Sequence, residues 1–399
     1  MGINFQERYA LPASWRTETD AALADSVARW AETEVMARRT ELVEDRAKLL
    51  LPAARSLLDE LGLRELLAGD DLPEGAAGTT AVVLEQVGRA DGGIALGLAG
   101  TYALQAAARV HGKPKVAAAL ADGDTAPWGS LVLPGFGQDD PGFDGLGAQV
   151  VATRKGRGWA LDGRGVRPQF GGRDADWFAV FATLQDGEPG VLLVPGGAEG
   201  LRRGKRIKTT GLAFSRAADL TLRGVKVSDA MVLCRGEAAC QGLVAWARLG
   251  SAATAVGGAL AAHEILDDWA DNRVIKGRGQ PFKRNALVAA LLGEIGGHIG
   301  TARLQLHALA QLIDGGAAGA ALDAASIAVS RAVIASSLEV LDRGMELMAS
   351  AGYATEWNLE RHWRDVRTLQ SLQGPSSQAQ TAIARHHFGT EIRGEEATR

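Results

Sequence analysis

From about residue 237 to 388 the chain reads as four long helical stretches, roughly 237 to 273, 283 to 314, 321 to 350 and 356 to 388. Helices of that length hide their apolar faces only by packing side by side, so the pattern predicts a bundle. Leu287, Leu291, Ile295 and Ile299 recur every four residues. Ile327, Ile334, Leu338, Leu341, Met345 and Met348 step by sevens, fours and threes, which places them on one helix face. Gly315, Gly316 and Gly319 break the middle pair, and Gly352 ends the third helix. Many Ala and Gly residues along these helices permit close approach of a second chain, so an oligomer built on the bundle is expected.

The rest of the chain has two other textures. Residues 1–125 read as a helical domain: an amphipathic stretch runs from Asp20 to Leu50, a second carries Leu57, Leu58, Leu61, Leu63 and Leu66, and a third surrounds Leu84 to Leu98. Residues 69 to 78 are a glycine-rich loop. Over 126–232, Gly and Pro clusters separate short β-branched and aromatic runs, as in Gln149 to Thr153, Trp159 to Leu161, Trp177 to Phe181 and Val191 to Val194. The turns at 156–158 and 186–190 fall between such runs, which predicts antiparallel hairpins. The fold class is therefore α+β: an N-terminal helical domain, a middle antiparallel β domain, and a four-helix bundle over 233–399.

Composition narrows the function. With 43 basic against 47 acidic residues and a net charge of −4, no basic excess exists to neutralise the phosphates of a nucleic acid. Cys234 and Cys240, the only two cysteines, match neither a C-x-x-C pair nor a zinc-binding spacing, and a reducing, cytoplasmic setting is expected. The first twenty residues mix charges where a secretory signal needs an apolar run. The most apolar window, Ser251 to Ala262, reads as too short to cross a bilayer, so no membrane insertion and no metal are expected.

Chemical motifs are sparse. In the segment at 200–206, Gly200 and Gly204 stand one residue too close for a phosphate loop and Arg206 replaces the magnesium-binding hydroxyl, so it reads as a basic turn. Neither a nucleophile elbow nor a dinucleotide fingerprint occurs. The adjacent His386 and His387 point about 100° apart on a helix, which makes them poor co-ligands. Glu356, Glu360, Arg361, Arg364 and Asp365 read as ion pairs spaced i,i+4 on a solvated face. The residues alone leave the chemistry open.

Longer segments carry a family likeness. The stretch before and through ADWFAVFA at 175–182, TTGLAFSRAADLTLRGVKV at 209–227, RLGSAATAVGGAL at 248–260, DNRVIKG at 271–277, and the run from Ala349 to Gly389 resemble the flavin-dependent acyl-CoA dehydrogenase family over essentially the whole chain. That resemblance implies FAD lying between the β domain and the bundle. It also implies an acyl-CoA thioester from which a carboxylate takes the α proton while the β hydride passes to the flavin. The base in such enzymes has its pKa raised by burial.

The same resemblance marks the departures. The family's catalytic Glu corresponds to Gln373, and an amide is neither basic nor ionisable near neutrality. The alternative position of the base, just before an arginine on the first bundle helix, corresponds to Ala247 beside Arg248, and Arg248 is expected to brace the 372–376 turn. A flavin-binding loop of the family corresponds to residues 132–139, with Val132 and Leu133 replacing polar groups and Asp139 retained. The segment that packs on the isoalloxazine corresponds to Arg167, Pro168, Gln169 and Phe170. Arg273 matches the arginine that reaches the adenosine diphosphate end of a neighbouring subunit's FAD. The cofactor-binding candidates are therefore Arg273, Asp139 and Gln169.

The pattern predicts a subunit of a heteromeric acyl-CoA dehydrogenase. It would lack the base and complete the FAD site of a paralogous partner that carries the Glu, with an electron-transfer flavoprotein as candidate acceptor. Two other readings stay open: a self-sufficient flavoenzyme with monooxygenase- or reductase-like chemistry, and a non-enzymatic CoA-ester binding scaffold.

Overall fold

The computed structural model describes residues 5–15, 17–38, 67, 72–121, 127–133, 150–274, 277, 279–374 and 376–390. Helix α1 (Phe5–Arg8) precedes α2 (Glu18–Trp30), which begins at a capping box: Asp20 N–H donates to Thr17 Oγ1 at 3.1 Å, and Thr17 N–H donates to the Asp20 carboxylate at 2.8 Å. Beyond α2 the helical path widens over Ala31–Val35 and tightens again over Met36–Arg38. The later part of the stretch predicted from Asp20, and the whole leucine run from Leu57 to Leu66, lie outside the described residues. Helices α3 (Ala76–Ala90) and α4 (Gly92–Val110) divide what the sequence reads as one helix around Leu84 to Leu98. Asp91 makes the break: its extended backbone ends α3, and its carboxylate caps α4 by accepting from Ile94 N–H at 2.9 Å. A short α5 (Pro114–Ala121) follows.

Among the described residues the middle region forms one eight-stranded sheet. Its strands are β1 (Gly129–Val132), β2 (Val151–Lys155), β3 (Gly158–Val166), β4 (Trp177–Leu184), β5 (Pro189–Pro195), β6 (Leu201–Arg203), β7 (Leu220–Ser228) and β8 (Val232–Arg235). They lie in the order β6-β7-β3-β2-β4-β5-β8, with β1 on β4. The 156–158 turn joins β2 to β3 and the 186–190 turn joins β4 to β5, both as antiparallel hairpins. The sheet is nevertheless not purely antiparallel: β1 and β2 each pair parallel with β4, aligning Gly129 with Trp177 and Val151 with Thr183. Local turn chemistry dictates hairpins but carries no information about strands that meet across longer connections.

Helix α6 (Glu237–Asn272) is the axis of the bundle, and its middle is buried on every side. Small residues allow this. A Cβ added at Gly250 would stand 2.4 Å from that of Ala99 on α4, and one at Gly257 would stand 2.6 Å from the Glu85 carbonyl oxygen on α3. The N-terminal helices thus pack directly on the bundle. By length and composition α6, and the helical path from Gly319 to Tyr353, could each cross a bilayer, so the apolar run is not too short for one; 94% of the apolar window of α6 is instead buried inside the protein.

Against α6 stand α7 (Ala286–Asp314), α8 (Gly319–Met348) and α9 (Leu359–Ser371), while α10 (Ser376–Phe388) packs on α8. The predicted stripe on α8 is buried from Ile327 to Met348. On α7, Ile295 and Ile299 are buried, but Leu287 at the head of the predicted stripe is 82% exposed. It is the second residue of the helix, beyond the edge of the packed core. Helix α8 stops at Met348, where Ala349 takes φ 49°, and Gly352 lies inside the tight turn that follows. The fourth predicted helix is two, α9 and α10, divided after Ser371 by a turn in which Gly374 takes φ 71°.

Candidate functional site

The turn after α9 carries Gln373. Ser330 on α8 donates its hydroxyl to the Gln373 Oε1 at 3.0 Å, and the Arg331 guanidinium donates to the backbone carbonyls of Gln373 and Gly374 at 3.2 Å each. The half-buried Gln373 is therefore fixed to the bundle by side chain and backbone together.

Arg248 does not brace this turn. Its guanidinium donates to the Asp323 carboxylate at 2.5 Å and to Ser326 Oγ at 2.9 Å, both in the first turns of α8. Arg331, four residues beyond Ile327 on the same helix, holds the turn in its place. Ala247 is buried at the α6 core.

Residues 167–170 are tied to β1 and to the middle sheet. The Arg167 guanidinium donates to both carboxylate oxygens of Asp219, at 2.7 and 3.2 Å. Pro168 has no N–H to give. Gln169 N–H donates to the Leu131 carbonyl at 2.9 Å, and Phe170 N–H donates to Ser130 Oγ at 3.3 Å while Ser130 Oγ–H donates to the Phe170 carbonyl at 2.6 Å. The Gln169 side-chain amide makes no hydrogen bond with the described residues. The Phe170 ring is buried, with its centroid 5.3 Å from that of Trp128 and 6.1 Å from that of Phe214. Val132 belongs to the apolar core of the sheet. Asp139 lies outside the described residues.

Arg273 ends α6. Its exposed guanidinium stands 5.9 Å from the Trp269 ring centroid and makes no ion pair or hydrogen bond with the described residues, while its backbone carbonyl accepts from Phe282 N–H at 2.7 Å. Arg273, Gln169 and Gln373 thus share no hydrogen bond: each sits in a separate local network.

Two buried charge clusters escaped the sequence reading. Glu85 on α3 is fully buried and accepts from Arg303 Nε at 3.0 Å, from Arg303 Nη2 at 3.0 Å, and from His307 Nε2 at 3.1 Å. Burial alone would raise its carboxyl, but the Arg303 guanidinium and His307 outweigh burial and hold it at about 2. Arg303 also donates to the Tyr9 carbonyl at 2.7 Å, so the cluster clamps the N-terminal segment onto α7. The sequence signal was a single acid inside an otherwise apolar helical run.

The second cluster corrects the reading of Arg361 and Asp365 as a solvated pair. Asp365 is buried and accepts from Leu212 N–H at 2.5 Å, while Arg361 pairs with Asp91 at the start of α4. Burial, and then the neighbouring Asp91 charge, push the Asp365 carboxyl up to about 6 against the pull of Arg361. Only Glu360 and Arg364 form the expected i,i+4 pair, at 2.8 Å. The Arg361 and Asp365 cluster joins helical domain, β domain and bundle at one point.

At the 167–170 segment the Gln169 and Phe170 N–H groups are spent within the chain, the Arg167 guanidinium is paired and the Phe170 ring packs on Trp128 and Phe214, which leaves the Gln169 side-chain amide as the polar group of the segment that could meet a cofactor. Buried Trp128 Nε1 makes no hydrogen bond, yet its ring is fully enclosed.

Residues 249–376 match the family described as acyl-CoA dehydrogenase, C-terminal domain. The human mitochondrial short-chain specific acyl-CoA dehydrogenase is 26% identical over 413 residues, covering 95% of each chain. Among solved structures, butyryl-CoA dehydrogenase from Megasphaera elsdenii superposes with a TM-score of 0.76 at 20% identity, covering 93% of this chain and 98% of that one. A glutaryl-CoA dehydrogenase from Mycobacterium smegmatis, solved in complex with FADH2, gives 0.79 at 18% identity, covering 95% and 97%. The chain is thus similar to acyl-CoA dehydrogenases over nearly its whole length, and residues 249–376 match the family's C-terminal domain.

Proposed function

We propose that this chain is a catalytically silent subunit of a heteromeric acyl-CoA dehydrogenase. The partner is a paralogous chain that carries the catalytic Glu and most of the FAD contacts. The reading is carried by Gln373, an amide that the family resemblance sets at the position of the base and that Ser330 holds in place. Removing an α proton from a thioester needs a group that accepts a proton near neutral pH, which a carboxylate in a dry site does and an amide does not. No geometry rescues that loss.

The lent residue is Arg273. It is exposed at the end of a rigid 36-residue helix and uncommitted to any ion pair with the described residues, as a side chain reaching into a neighbouring chain's diphosphate site has to be. The outer face of α7, with Leu287, Leu304 and Leu312 exposed, supplies apolar surface for that neighbour to cover. An acyl-CoA is the substrate of the assembly, and an electron-transfer flavoprotein its candidate acceptor. The cytoplasm is the proposed setting.

The test is co-expression with a paralogue that retains the Glu, followed by native mass and flavin absorbance. The reading requires a mixed oligomer containing both chains and a flavin. A stable homo-oligomer of this chain that ignores the paralogue and oxidises an acyl-CoA by itself would overturn it.

A further inference from the structure

The β6 end of the sheet carries positive charge that no acid of the described chain neutralises. Leu161, Leu222 and Val227 belong to the core beneath β3 and β7, so the residues alternating with them point away from it. Thr153 of β2, Ala160 of β3 and Lys226 of β7 lie opposite one another across three strands, and Thr221 of β7 lies opposite Arg202 of β6. Opposed residues share a face, which puts Lys226 and Arg202 on the solvent side. Lys155, two residues after Thr153, shares it. Arg164 and Arg223 emerge where the β3 and β7 register shifts. All five cations are exposed, and none of their side chains makes an ion pair or hydrogen bond with the described residues. Elsewhere on the sheet arginines are paired: Arg154 with Asp229, Arg167 with Asp219, and Arg235 with Asp186 and Glu188. The one acid on β2, β3, β6 and β7 is Asp162, and its carboxylate already accepts from Gly224 N–H at 2.8 Å.

We infer that this sheet face docks a protein partner that presents a cluster of carboxylates. Adjacent strands lie about 4.8 Å apart, less than the Debye length of about 8 Å, so cations on successive strands reinforce one another. In a chain of net charge −4 this face is a local reversal of sign, which steers an acidic partner to it and away from the rest of the surface. Three of the five cations are arginines, whose planar guanidinium receives a carboxylate through two hydrogen bonds at once. A membrane does not match the face: polybasic attraction holds a protein there only beside a second anchor, and Val151 is the one large apolar side chain exposed on these strands. Single-stranded nucleic acid does not match it either, since no aromatic ring is exposed on these strands for bases to stack on. None of these five residues enters the silent-subunit reading, so the two stand or fall separately.

The test titrates the full-length chain into a fluorescently labelled polyglutamate peptide at about 0.15 M salt and reads anisotropy. Arg202→Glu combined with Arg223→Glu is expected to weaken binding by about tenfold. Arg29→Glu combined with Lys115→Glu makes the same change in net charge at exposed positions on α2 and α5, and is expected to leave binding within about twofold. Thermal midpoints check that both double variants fold. On the unaltered chain, carbodiimide coupling of the peptide's carboxylates to lysine amines is expected to mark Lys155 and Lys226, and this result decides the matter should a variant not fold. Absence of binding, an equal loss in both double variants, or coupling confined to other lysines overturns the inference. So does tighter binding of phosphatidylserine vesicles or of duplex DNA than of the peptide, if the Arg202→Glu and Arg223→Glu pair abolishes it.

Discussion

Ser330 donates its hydroxyl to the side-chain oxygen of Gln373 across 3.0 Å, joining α8 to the turn that separates α9 from α10. The same hydroxyl contacts the Ile327 carbonyl at 3.3 Å, so the amide is held from a fixed helical position. Ser330→Ala leaves the half-buried amide oxygen without this partner and is expected to cost about 1 kcal/mol in chemical denaturation. Gln373→Glu keeps an acceptor for Ser330 and is expected to fold normally. The lone variant still gains no acyl-CoA oxidation, because in this reading the partner chain supplies most of the FAD contacts. Turnover by the isolated Gln373→Glu protein would contradict this.

Arg303→Met removes the guanidinium from a fully buried carboxylate. Leaving the Glu85 charge with His307 but without the guanidinium is expected to destabilise the fold by about 3 kcal/mol, read from the denaturation midpoint. A double change of Glu85→Gln with Arg303→Met is expected to recover part of that loss, since no bare charge is then left inside.

The two buried carboxylates have opposite pH signatures. Glu85 is held at about 2 against an ordinary 4.5, so its contribution is present above 4.5 and is lost as the pH falls toward 2. Asp365 is raised from 3.8 to about 6, so the folded state binds its proton more tightly. Its contribution therefore declines as the pH rises from about 4 to 6. Urea midpoints across that range are expected to flatten in Asp365→Asn relative to the unaltered chain. An unchanged slope in the variant would rule out Asp365 as its source.

Gly257→Ala places a methyl group 2.6 Å from the Glu85 carbonyl oxygen and 2.6 Å from the Gly88 carbonyl carbon. Both neighbours are backbone and cannot rotate away. The change is expected to cost about 1–3 kcal/mol by overpacking, more than the gain of about 1 kcal/mol from replacing Gly in a helix. A rise in thermal midpoint would show that α3 and α6 can separate.

Arg273→Ala acts on the assembly alone. The isolated chain is expected to melt at an unchanged temperature, since the guanidinium makes no ion pair or hydrogen bond with the described residues. The mixed oligomer is expected to lose flavin on dialysis faster than the unaltered one.

These residues also show what a sequence can reveal. The α8 stripe and the two glycine hairpins are local patterns, and they emerge at the expected positions because periodicity and turn chemistry act over a few residues. The parallel pairing of β1 and β2 with β4 depends on contacts between distant segments. So does Asp91 with Arg361, 270 residues apart. Arg361 and Asp365 are spaced like a surface ion pair, and only the docking of the loop at Leu212 and the start of α4 turns them inward. The break at Gly374 was visible in the sequence as Gly-Pro, yet the helical pattern on both sides masked it. Gln373 is the opposite case: its chemistry is legible from residue type alone, whereas its partner Ser330 is not.

The most direct measurement is an anaerobic addition of acyl-CoA thioesters to the purified lone chain, preincubated with FAD, while the flavin's visible absorbance is followed. The account predicts no bleaching with any chain length, and bleaching once the Glu-bearing paralogue is added. Rapid bleaching of flavin held by this chain alone would contradict it.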